Sequence, residues 1–434
     1  MDYQVTAYGA VGDGERDDRA AIQEAIDRCS ADGGGRVILD GDRTYLSSSI
    51  VLKENVELRV EKGSVLKASA DLGTYLHPNE GQVDSGASHI GTPVTLKPSY
   101  AFIYAKDQDN ITLSGEGKID GNCYAFVGRV SRYYVTGDFY PRPTMIYIEH
   151  CKHVTIREIT LLDAPFWTLH PAGCDDVLID RIRILNPLDV ANSDGIDPDH
   201  SSNVRILGCH IECADDAICL KSSRGNMEYG PTENVIIADC TLKSTSAAIK
   251  IGTEGAGNFR NIIVHDCAVA SSNRGISIQI RDEGSVENVV YSNIMIETRR
   301  FADCWWGTAE PIAISSVNRD TGTESGTIRN IYFENIFCDS ENGVAVNGSG
   351  KVSGLKFRNV RLRLSEKSKW PKGLYDWRPG LGTIIEEHPL RGFLIRGAKD
   401  VRLYECSVEF DGLEGEALET EGSENVQTFL FEGK

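Results

Sequence analysis

Alternating apolar residues recur along most of the chain in copies of one short motif. Each copy begins with Asn or another small residue, followed by Val, Ile or Leu, by any residue, and by a second apolar residue. The copies begin at Asn55, Asn110, His153, Asp176, Asn203, Asn234, Asn261, Asn288, Asn330, Gly354 and Asp400. Most neighbouring copies start roughly 23–31 residues apart, and the wider gaps are near twice that length. Such a period is typical of a solenoid, in which each repeat forms one coil that stacks on the next.

The apolar positions within each copy alternate, which is the periodicity of a β-strand and not of a helix. Six residues after the start of most copies, one further position is filled by Ile, Val or Cys. These residues are Ile159, Ile182, Cys209, Cys240, Cys267, Ile294, Ile336, Val360 and Cys406. We expect a position that is apolar in coil after coil to point into a continuous core. The pattern therefore predicts an all-β fold, a right-handed parallel β-helix.

The 434 residues exceed the usual size of one compact core, and length alone would favour about three domains. A solenoid core grows along one axis, however, and no Pro-, Gly- or Ser-rich linker divides the chain, so we predict one elongated domain. A cap region is expected at 1–36, coils at 37–412 and a tail at 413–434. Three stretches break the period and are expected to be loops that wall a cleft, or ordinary surface insertions: 71–100, 120–143 and 365–389.

A helix is expected to cover the first coil, because an uncovered strand edge invites aggregation. It is predicted from Ala20 to Ile26, where the apolar residues are spaced as in an amphipathic helix. Asp17 and Asp18 provide acidic residues at its N-terminus. The Gly-rich turn before the helix carries no complete phosphate-binding motif, so nucleotide binding is not predicted.

The net charge and the cysteine content indicate which partners the protein is expected to bind and in which compartment it is expected to occur. The formal net charge of −19 argues against nucleic acid and anionic membranes, since both bind basic patches. None of the 12 cysteines forms a Cys-x-x-Cys pair, and those that share the inward position with Ile and Val are expected to be buried thiols. The N-terminus has no signal-peptide pattern, and no stretch is apolar enough to cross a bilayer. We expect a cytoplasmic protein, or a secreted one whose signal has been removed.

Carboxylates are densest in two neighbouring coils. One stretch runs from Asn192 to Asp197 and includes Asp194, and the next contains Asp215 and Asp216. Asp194 and Asp215 are about 21 residues apart, close to one coil, and stacked strands lie about 4.8 Å apart, so these side chains should gather on one face. Like charges at this range shift each other's pKa, an arrangement typical of active sites. Glycoside hydrolysis by inversion needs one protonated and one ionised carboxyl group. A solvated or calcium-binding acidic turn is the alternative.

The paired motif Asn192-Ser193-Asp194-Gly195 and Asp215-Asp216 resembles the signature of family 28 glycoside hydrolases, the polygalacturonase group. Further similarity lies in the stretches 8–14, 115–121 and 164–170, so the resemblance extends along nearly the whole chain. It implies that Asp215 is the general acid and that Asp194 and Asp216 together hold and deprotonate the attacking water. It also implies that no metal or organic cofactor is needed.

Two elements of the family pattern are replaced. The family's Gly-His-Gly corresponds to a stretch without histidine at 246–252, and its Arg-Ile-Lys corresponds to Ser277-Ile278-Gln279. The chain is therefore similar to members of the family that act on other substrates or that cleave at chain ends. Lys221, Lys250 and Arg281 alternate with the core Ile residues and should lie on the face of the aspartates. With Gln279 they are predicted to bind the substrate, although ordinary exposed bases would give the same pattern.

Aromatic and histidine residues supply the remaining candidates. Trp167 and His170 match a family segment that lines the sugar site, which makes them predicted substrate-binding residues, while Trp167 would fit a core position equally well. Trp305-Trp306 with Glu310-Pro311 is expected to wall the pocket, and an enzyme with a blocked cleft acts at chain ends. The weaker candidates are Glu254, Glu387 and His388, whereas His200 is expected to be structural.

These observations predict an inverting, exo-acting glycoside hydrolase of α-linked pectic-type saccharides, galacturonan or rhamnogalacturonan-like. The expected partner is an oligosaccharide or polysaccharide, and the oligomeric state is not predicted. Two alternatives remain open at this point. A polysaccharide lyase on the same fold would depend on calcium and form an unsaturated product, and a carbohydrate-binding β-helix would have no catalytic activity.

Overall fold

The small residue that begins each sequence motif forms a corner of the coil. In the computed structural model, which describes residues 1–79, 97–128 and 142–433, all eleven motif starts have φ between 54° and 66°. This left-handed conformation costs most residues about 1–2 kcal/mol, but glycine, asparagine and aspartate adopt it more readily. The preference for Asn, Asp or Gly at the start of the motif therefore follows from the backbone, because the chain bends there before it enters a strand.

Five of these corners are joined by a stack of asparagine side chains. The Nδ2 atom of each residue donates to Oδ1 of the residue one coil earlier, at 3.2–3.5 Å. The stack consists of Asn203, Asn234, Asn261, Asn288 and Asn330. Each neutral hydrogen bond of this kind contributes about 0.5–1.5 kcal/mol. The corners are thus held in register from one coil to the next.

The strands form parallel ladders on three faces of the coil. The first face contains Asp2–Gln4, Gly35–Leu39, Val56–Val60, Thr112–Ser114, Lys152–Arg157, Asp175–Asp180, Ser202–Leu207, Thr232–Ala238, Phe259–His265 and Glu424–Phe429. The second contains Asp13–Asp17, Thr44–Ser47, Val65–Ala68, Lys118–Asp120, Thr160–Leu162, Arg183–Leu185, His210–Cys213, Thr241–Ser244, Ala268–Ser272, Ser407–Asp411 and Glu432–Gly433. The third contains Ile50–Val51, Ala101–Lys106, Thr144–Glu149, Leu169–Ala172, Ile218–Ser222, Ala247–Gly255, Arg274–Ile280, Ile312–Ser316 and Glu416–Glu421. Three long strands bend across two faces, Val286–Thr298, Ile328–Ser340 and Arg391–Tyr404, and the strand Val344–Ser365 runs along all three.

This arrangement is a right-handed parallel β-helix, as the sequence predicts. Its core is a continuous apolar column, and every predicted inward residue from Ile159 to Cys406 is at most 3% exposed. All 12 cysteines are free, and all except Cys304 are buried. The prediction of core thiols is therefore confirmed, because Cys209, Cys240, Cys267 and Cys406 occupy the same apolar column as the Ile and Val residues.

The helix α1, Arg19–Ala31, covers the first coil and buries the apolar side that the sequence predicts. Asp18 precedes the helix, but its side chain makes no capping bond. Its carboxylate instead accepts hydrogen bonds from the backbone N–H groups of Val11 and Gly12, at 2.7 and 2.9 Å. Asp18 therefore ties the Gly-rich turn to the start of the helix, a role that a capping pattern does not predict.

The C-terminal strands and the inserted loops differ in part from the predicted boundaries. Strands at Glu416–Glu421 and Glu424–Phe429 pair with the preceding coil, so the stack continues past 412, where we expected a tail. The expected loop 365–389 contains an antiparallel hairpin, Leu374–Asp376 with Ile385–Glu387. Most of the expected loops 71–100 and 120–143 lie outside the described residues.

Short 3₁₀ turns occur at Val5–Tyr8, Leu72–Thr74, Cys123–Ala125 and Arg224–Tyr229. None of the helices described here is long and apolar enough to span a bilayer.

Candidate active site

The register of the third face brings Asp194 and Asp216 together. Ile196 pairs with Ile218, and Ile218 pairs with Ile249 in the next coil. Asp194 and Asp216 lie two residues before Ile196 and Ile218, so they occupy the same position in neighbouring coils. One carboxylate oxygen of each lies within 4.8 Å of the other, and both residues are only 2% exposed. A single water molecule can therefore contact both carboxylates.

Asp216 is surrounded by groups that stabilise its ionised form. The Lys250 ammonium lies 2.7 Å from Oδ2, and the Ser246 hydroxyl donates to Oδ1 at 2.8 Å. The backbone N–H of Ala247 also donates to Oδ1, at 3.2 Å. One ion pair and two hydrogen bonds to the same carboxylate favour its charged state. Asp216 is thus suited to accept a proton.

Asp215 has the opposite surroundings. Burial raises the pKa of its carboxyl group well above the ordinary value, and the charges of Asp194 and Asp216 raise it further. Among the described residues, its oxygens accept hydrogen bonds from two backbone N–H groups, those of Asn192 at 3.2 Å and Asp216 at 3.1 Å. In the part of the chain that the structure describes, no Lys or Arg nitrogen lies within 4.0 Å of this carboxylate. Asp215 is therefore suited to carry a proton.

Lys221 joins Asp194 to a fourth carboxylate, Asp197. Its ammonium lies 3.2 Å from Oδ2 of Asp194 and 3.3 Å from Oδ1 of Asp197. Burial raises the pKa of both aspartates, and the positive charge of Lys221 opposes that shift. Asp197 belongs to the stretch that carries Asp194, but sequence reasoning did not count it among the site residues. The signal that could have found it is its position one residue after the core Ile196, because side chains alternate on a strand.

Glu254 pairs with two of the predicted substrate-binding cations. Its carboxylate lies 3.3 Å from the Arg281 guanidinium and 3.9 Å from the Lys221 ammonium. Burial alone would raise the pKa of Glu254, but the charges of Lys221 and Arg281 outweigh it and lower the pKa to about 2. Glu254 was only a weak candidate in the sequence, and the structure places it inside the charged network.

The aromatic residues Trp167 and His170 lie beside this network. The Lys221 ammonium sits 4.2 Å from the centre of the half-buried Trp167 ring, as in a cation–π contact. The His170 ring meets Trp167 edge-on at 4.9 Å, and its Nε2 atom lies 3.2 Å from Oδ2 of Asp199. Contact of Trp167 and His170 with substrate remains a prediction. His200 is buried with Nε2 2.9 Å from the carbonyl oxygen of Ser223, which agrees with the expected structural role.

Comparison with known proteins identifies the family to which the chain belongs. The profile described as Glycosyl hydrolases family 28 matches residues 80–372. The chain belongs to glycosyl hydrolase family 28. Among curated relatives, a probable polygalacturonase of Vitis vinifera is 30% identical over 267 residues, covering 58% of this chain and 52% of the relative. An endo-polygalacturonase of Pectobacterium carotovorum subsp. carotovorum is 25% identical over 362 residues, covering 81% of this chain and 85% of the relative.

Solved structures support the fold of this family 28 chain. An exopolygalacturonase from Thermotoga maritima superposes with a TM-score of 0.65 at 20% identity, covering 99% of this chain and 91% of its own. A family 28 exopolygalacturonase from Yersinia enterocolitica superposes with a TM-score of 0.72 at 17% identity, covering 98% of this chain and 78% of its own. The chain spans about half the length of the first two curated relatives that it matches.

Polar residues occupy the positions where this family 28 chain lacks the expected histidine and Arg-Ile-Lys. The Ser246 hydroxyl and the Lys250 ammonium both contact Asp216. The Gln279 amide accepts from Arg274 at 3.3 Å and donates to the carbonyl oxygen of Arg378 at 3.3 Å. Ser277, in register with Lys250, is fully buried, and its hydroxyl has no hydrogen-bond partner among the described residues. Binding of substrate by Lys250 and Gln279 remains a prediction.

The segment with Trp305 and Trp306 adjoins the coil that carries Asp215. The indole nitrogen of Trp305 donates to the backbone oxygen of Ala214 at 3.0 Å. The Arg378 guanidinium, from the hairpin segment, lies 5.3 Å from the Trp306 ring and donates to the Trp305 carbonyl oxygen at 2.9 Å. No sequence motif marks Arg378, so its part in this contact was missed.

Two remaining candidates, Glu310 and His388, lie in structural contacts. The Glu310 carboxylate pairs with the buried Arg274 at 3.1 Å and accepts from Thr308. His388 lies 3.6 Å from both Glu419 and Glu421, which belong to a late coil of the stack. Neither Glu310 nor His388 contacts the aspartate cluster in the described part of the chain.

Proposed function

We propose that the protein hydrolyses α-glycosidic bonds of pectic-type saccharides, galacturonan or rhamnogalacturonan-like, with inversion at the anomeric carbon. The observation that carries this proposal is the contrast between adjacent residues: Asp215 is suited to hold a proton, and Asp216 forms an ion pair with the Lys250 ammonium at 2.7 Å. Hydrolysis by inversion needs one carboxyl group in each state. The names of the relatives support the substrate class, because those reported above are polygalacturonases.

The proposed mechanism uses residues of this chain alone. Asp215 donates its proton to the oxygen that leaves with the departing sugar. A water molecule between Asp194 and Asp216 attacks the anomeric carbon from the opposite side and gives its proton to this pair. Acid and base of inverting enzymes lie about 6.5–9.5 Å apart, which leaves room for the water. Residues of neighbouring coils can supply this separation.

We also propose that the enzyme acts at chain ends. Support for this proposal comes from the contacts of Trp305 with Ala214, next to Asp215, and of Arg378 with Trp306, which would form a wall at this end of the substrate groove. A polysaccharide that cannot pass this wall would enter only with its end. The test is the viscosity of a pectic polysaccharide solution, followed together with the release of reducing ends. An enzyme that acts at chain ends releases reducing ends long before the viscosity falls, whereas an early fall in viscosity would contradict the proposal.

A lyase is the second candidate, because oxygens of Asp194 and Asp216 lie close enough to share a cation with the Cys219 sulfur. Calcium prefers oxygen ligands, however, and the ammonium groups of Lys221 and Lys250 already contact the two carboxylates. This arrangement favours hydrolysis. A hydrolase and a lyase also differ in their products, since only the lyase leaves an unsaturated sugar.

The experiment that separates these functions is incubation with galacturonan, rhamnogalacturonan and their oligosaccharides, with and without EDTA. Products are identified by mass and by the ultraviolet absorbance of an unsaturated sugar. Products that have gained one water and still form in EDTA are the expected result. Unsaturated products that disappear with EDTA would establish the lyase instead. No product from any member of the panel would contradict both enzymes and favour a carbohydrate-binding protein.

A further inference from the structure

The cationic side chains next to the catalytic aspartates are already paired with carboxylates of the protein. Lys250 contacts Asp216 at 2.7 Å, and Lys221 contacts Asp194 at 3.2 Å. Arg281 contacts Glu254 at 3.3 Å. All three cations are at most 9% exposed. A sugar that enters this pocket therefore meets positive charges that are neutralised and have little freedom to turn toward it.

The balance of charge in the pocket is negative. Asp215 carries a proton and adds no charge, so four carboxylates face three cations among the described residues of the network. The carboxylates are those of Asp194, Asp197, Asp216 and Glu254, and the cations are those of Lys221, Lys250 and Arg281. A uronate brings a further negative charge into this buried space. Juxtaposition of like charges at a binding site costs several kcal/mol and is a common means of rejecting a ligand.

Glu254 adds a carboxylate to this network from outside the aspartate cluster. It lies on the same strand as Lys250, further along toward the strand's end, and reaches both Arg281 and Lys221. Without the Glu254 carboxylate, the guanidinium of Arg281 would lose its nearest acidic partner in the network. The hydroxyl of Ser277, buried and unpartnered in the described part of the chain, provides a neutral hydrogen-bonding group at the same face.

From these contacts we infer that the sugar ring held against Asp194 and Asp216 is neutral, and that Glu254 determines this specificity by neutralising Arg281. The inference rests on the proposed function and narrows its substrate: a pectic saccharide whose cleaved ring is a neutral sugar. Uronate rings of the same chain would lie outside this pocket. Hydroxyl groups of the neutral ring would take the hydrogen bonds that the buried polar groups offer.

The test compares 4-nitrophenyl α-glycosides of galactose, rhamnose and galacturonic acid, of which the first and last differ only at C6. In the wild-type enzyme, kcat/KM for one of the neutral glycosides should exceed that for the uronate by about 100-fold. Glu254→Gln keeps the shape of the side chain and frees Arg281, so it should reduce this ratio about tenfold through faster uronate cleavage. The matched control is Glu233→Gln, which removes the same charge from a surface pair with Arg260 and should leave the ratio unchanged.

A wild-type enzyme that cleaves the uronate faster than both neutral glycosides would overturn the inference and leave the proposed hydrolysis intact. An unchanged ratio in Glu254→Gln would overturn the role of Glu254. Hydrolysis itself is judged separately, on the polysaccharides. If none of the three glycosides is cleaved, calorimetric binding of free galactose, rhamnose and galacturonate to the wild-type protein decides the matter. Tighter binding of galacturonate than of both neutral sugars would again overturn the inference.

Discussion

Asp215 and Asp216 are adjacent residues, and the strand turns their side chains into different environments. Asp216 meets Lys250, whereas Asp215 meets mainly buried surface and other carboxylates. Loss of the proton donor in Asp215→Asn should lower kcat by about 10²–10⁴-fold while folding and substrate binding persist. Steady-state kinetics measures the loss of kcat, and calorimetry with the same pectic oligosaccharide measures substrate binding. The control is Asp239→Asn at an exposed corner, where the φ of 58° suits asparagine equally well. Full activity of Asp215→Asn would contradict its role as acid.

The raised pKa of Asp215 also has a consequence for stability. Because its folded-state pKa lies above the unfolded value, this group stabilises the fold at low pH and loses that contribution as pH rises through the folded-state pKa. The amide that replaces this carboxyl group in Asp215→Asn does not titrate. The free energy of unfolding of the wild type should therefore fall relative to that of Asp215→Asn as pH rises above about 4. Denaturant titrations at several pH values measure this difference, and a difference independent of pH would show that the pKa is not raised.

Lys250 provides a further prediction at the scale of one residue. Lys250→Met removes the ion pair and leaves the buried Asp216 carboxylate with the hydrogen bonds from Ser246 and Ala247. Breaking a buried pair on one side typically costs about 3–5 kcal/mol of folding free energy. We expect a large loss of kcat and a lower free energy of unfolding, measured by steady-state kinetics and denaturant titration. A rise in KM for uronates with kcat unchanged would instead support the substrate grip predicted from the sequence.

At the scale of the secondary-structure elements, the asparagine corners are the feature to test. Asn261 has φ of 57° and hydrogen bonds to Asn234 and Asn288. Asn261→Ala should destabilise the protein by about 2–4 kcal/mol, because strain in the left-handed conformation adds to two lost hydrogen bonds. Asn261→Gly loses the same bonds without the strain and should cost less. Thermal and denaturant unfolding compare the two variants, and equal losses would contradict the conformational explanation.

The same elements show which features a single sequence can predict. The corner at Asn261 and the inward Cys267 follow from local rules that repeat in every coil, so the β-helix was predictable. Asp194 and Asp216 were found because stacking places one coil's motif over the next. The pairing of Arg281 with Glu254 was not predicted from the sequence, since it depends on which side-chain rotamers meet across coils. The contact of Arg378 with Trp306 was missed for a similar reason, because an inserted hairpin has no period from which to place it.

At the scale of the molecule, the β-helix acts as a rigid frame that positions side chains from successive coils along one face. The coil of Trp167 is followed by those of Asp194, Asp216, Lys250 and Gln279. The parallel ladder holds these coils in fixed register, and the paired charges restrict the side chains. Proximity of this kind, in a site largely closed to water, is the condition under which two carboxyl groups keep different protonation states.

The central claim is hydrolysis with inversion, with Asp215 as acid and the pair of Asp194 and Asp216 as base. The most direct measurement is proton NMR of the anomeric signals during the first minutes of reaction with a pectic oligosaccharide. The account predicts that the β-anomer of the newly released reducing end appears first from an α-linked substrate and that the α-anomer follows only by mutarotation. First appearance of the α-anomer, or signals of an unsaturated product, would contradict it.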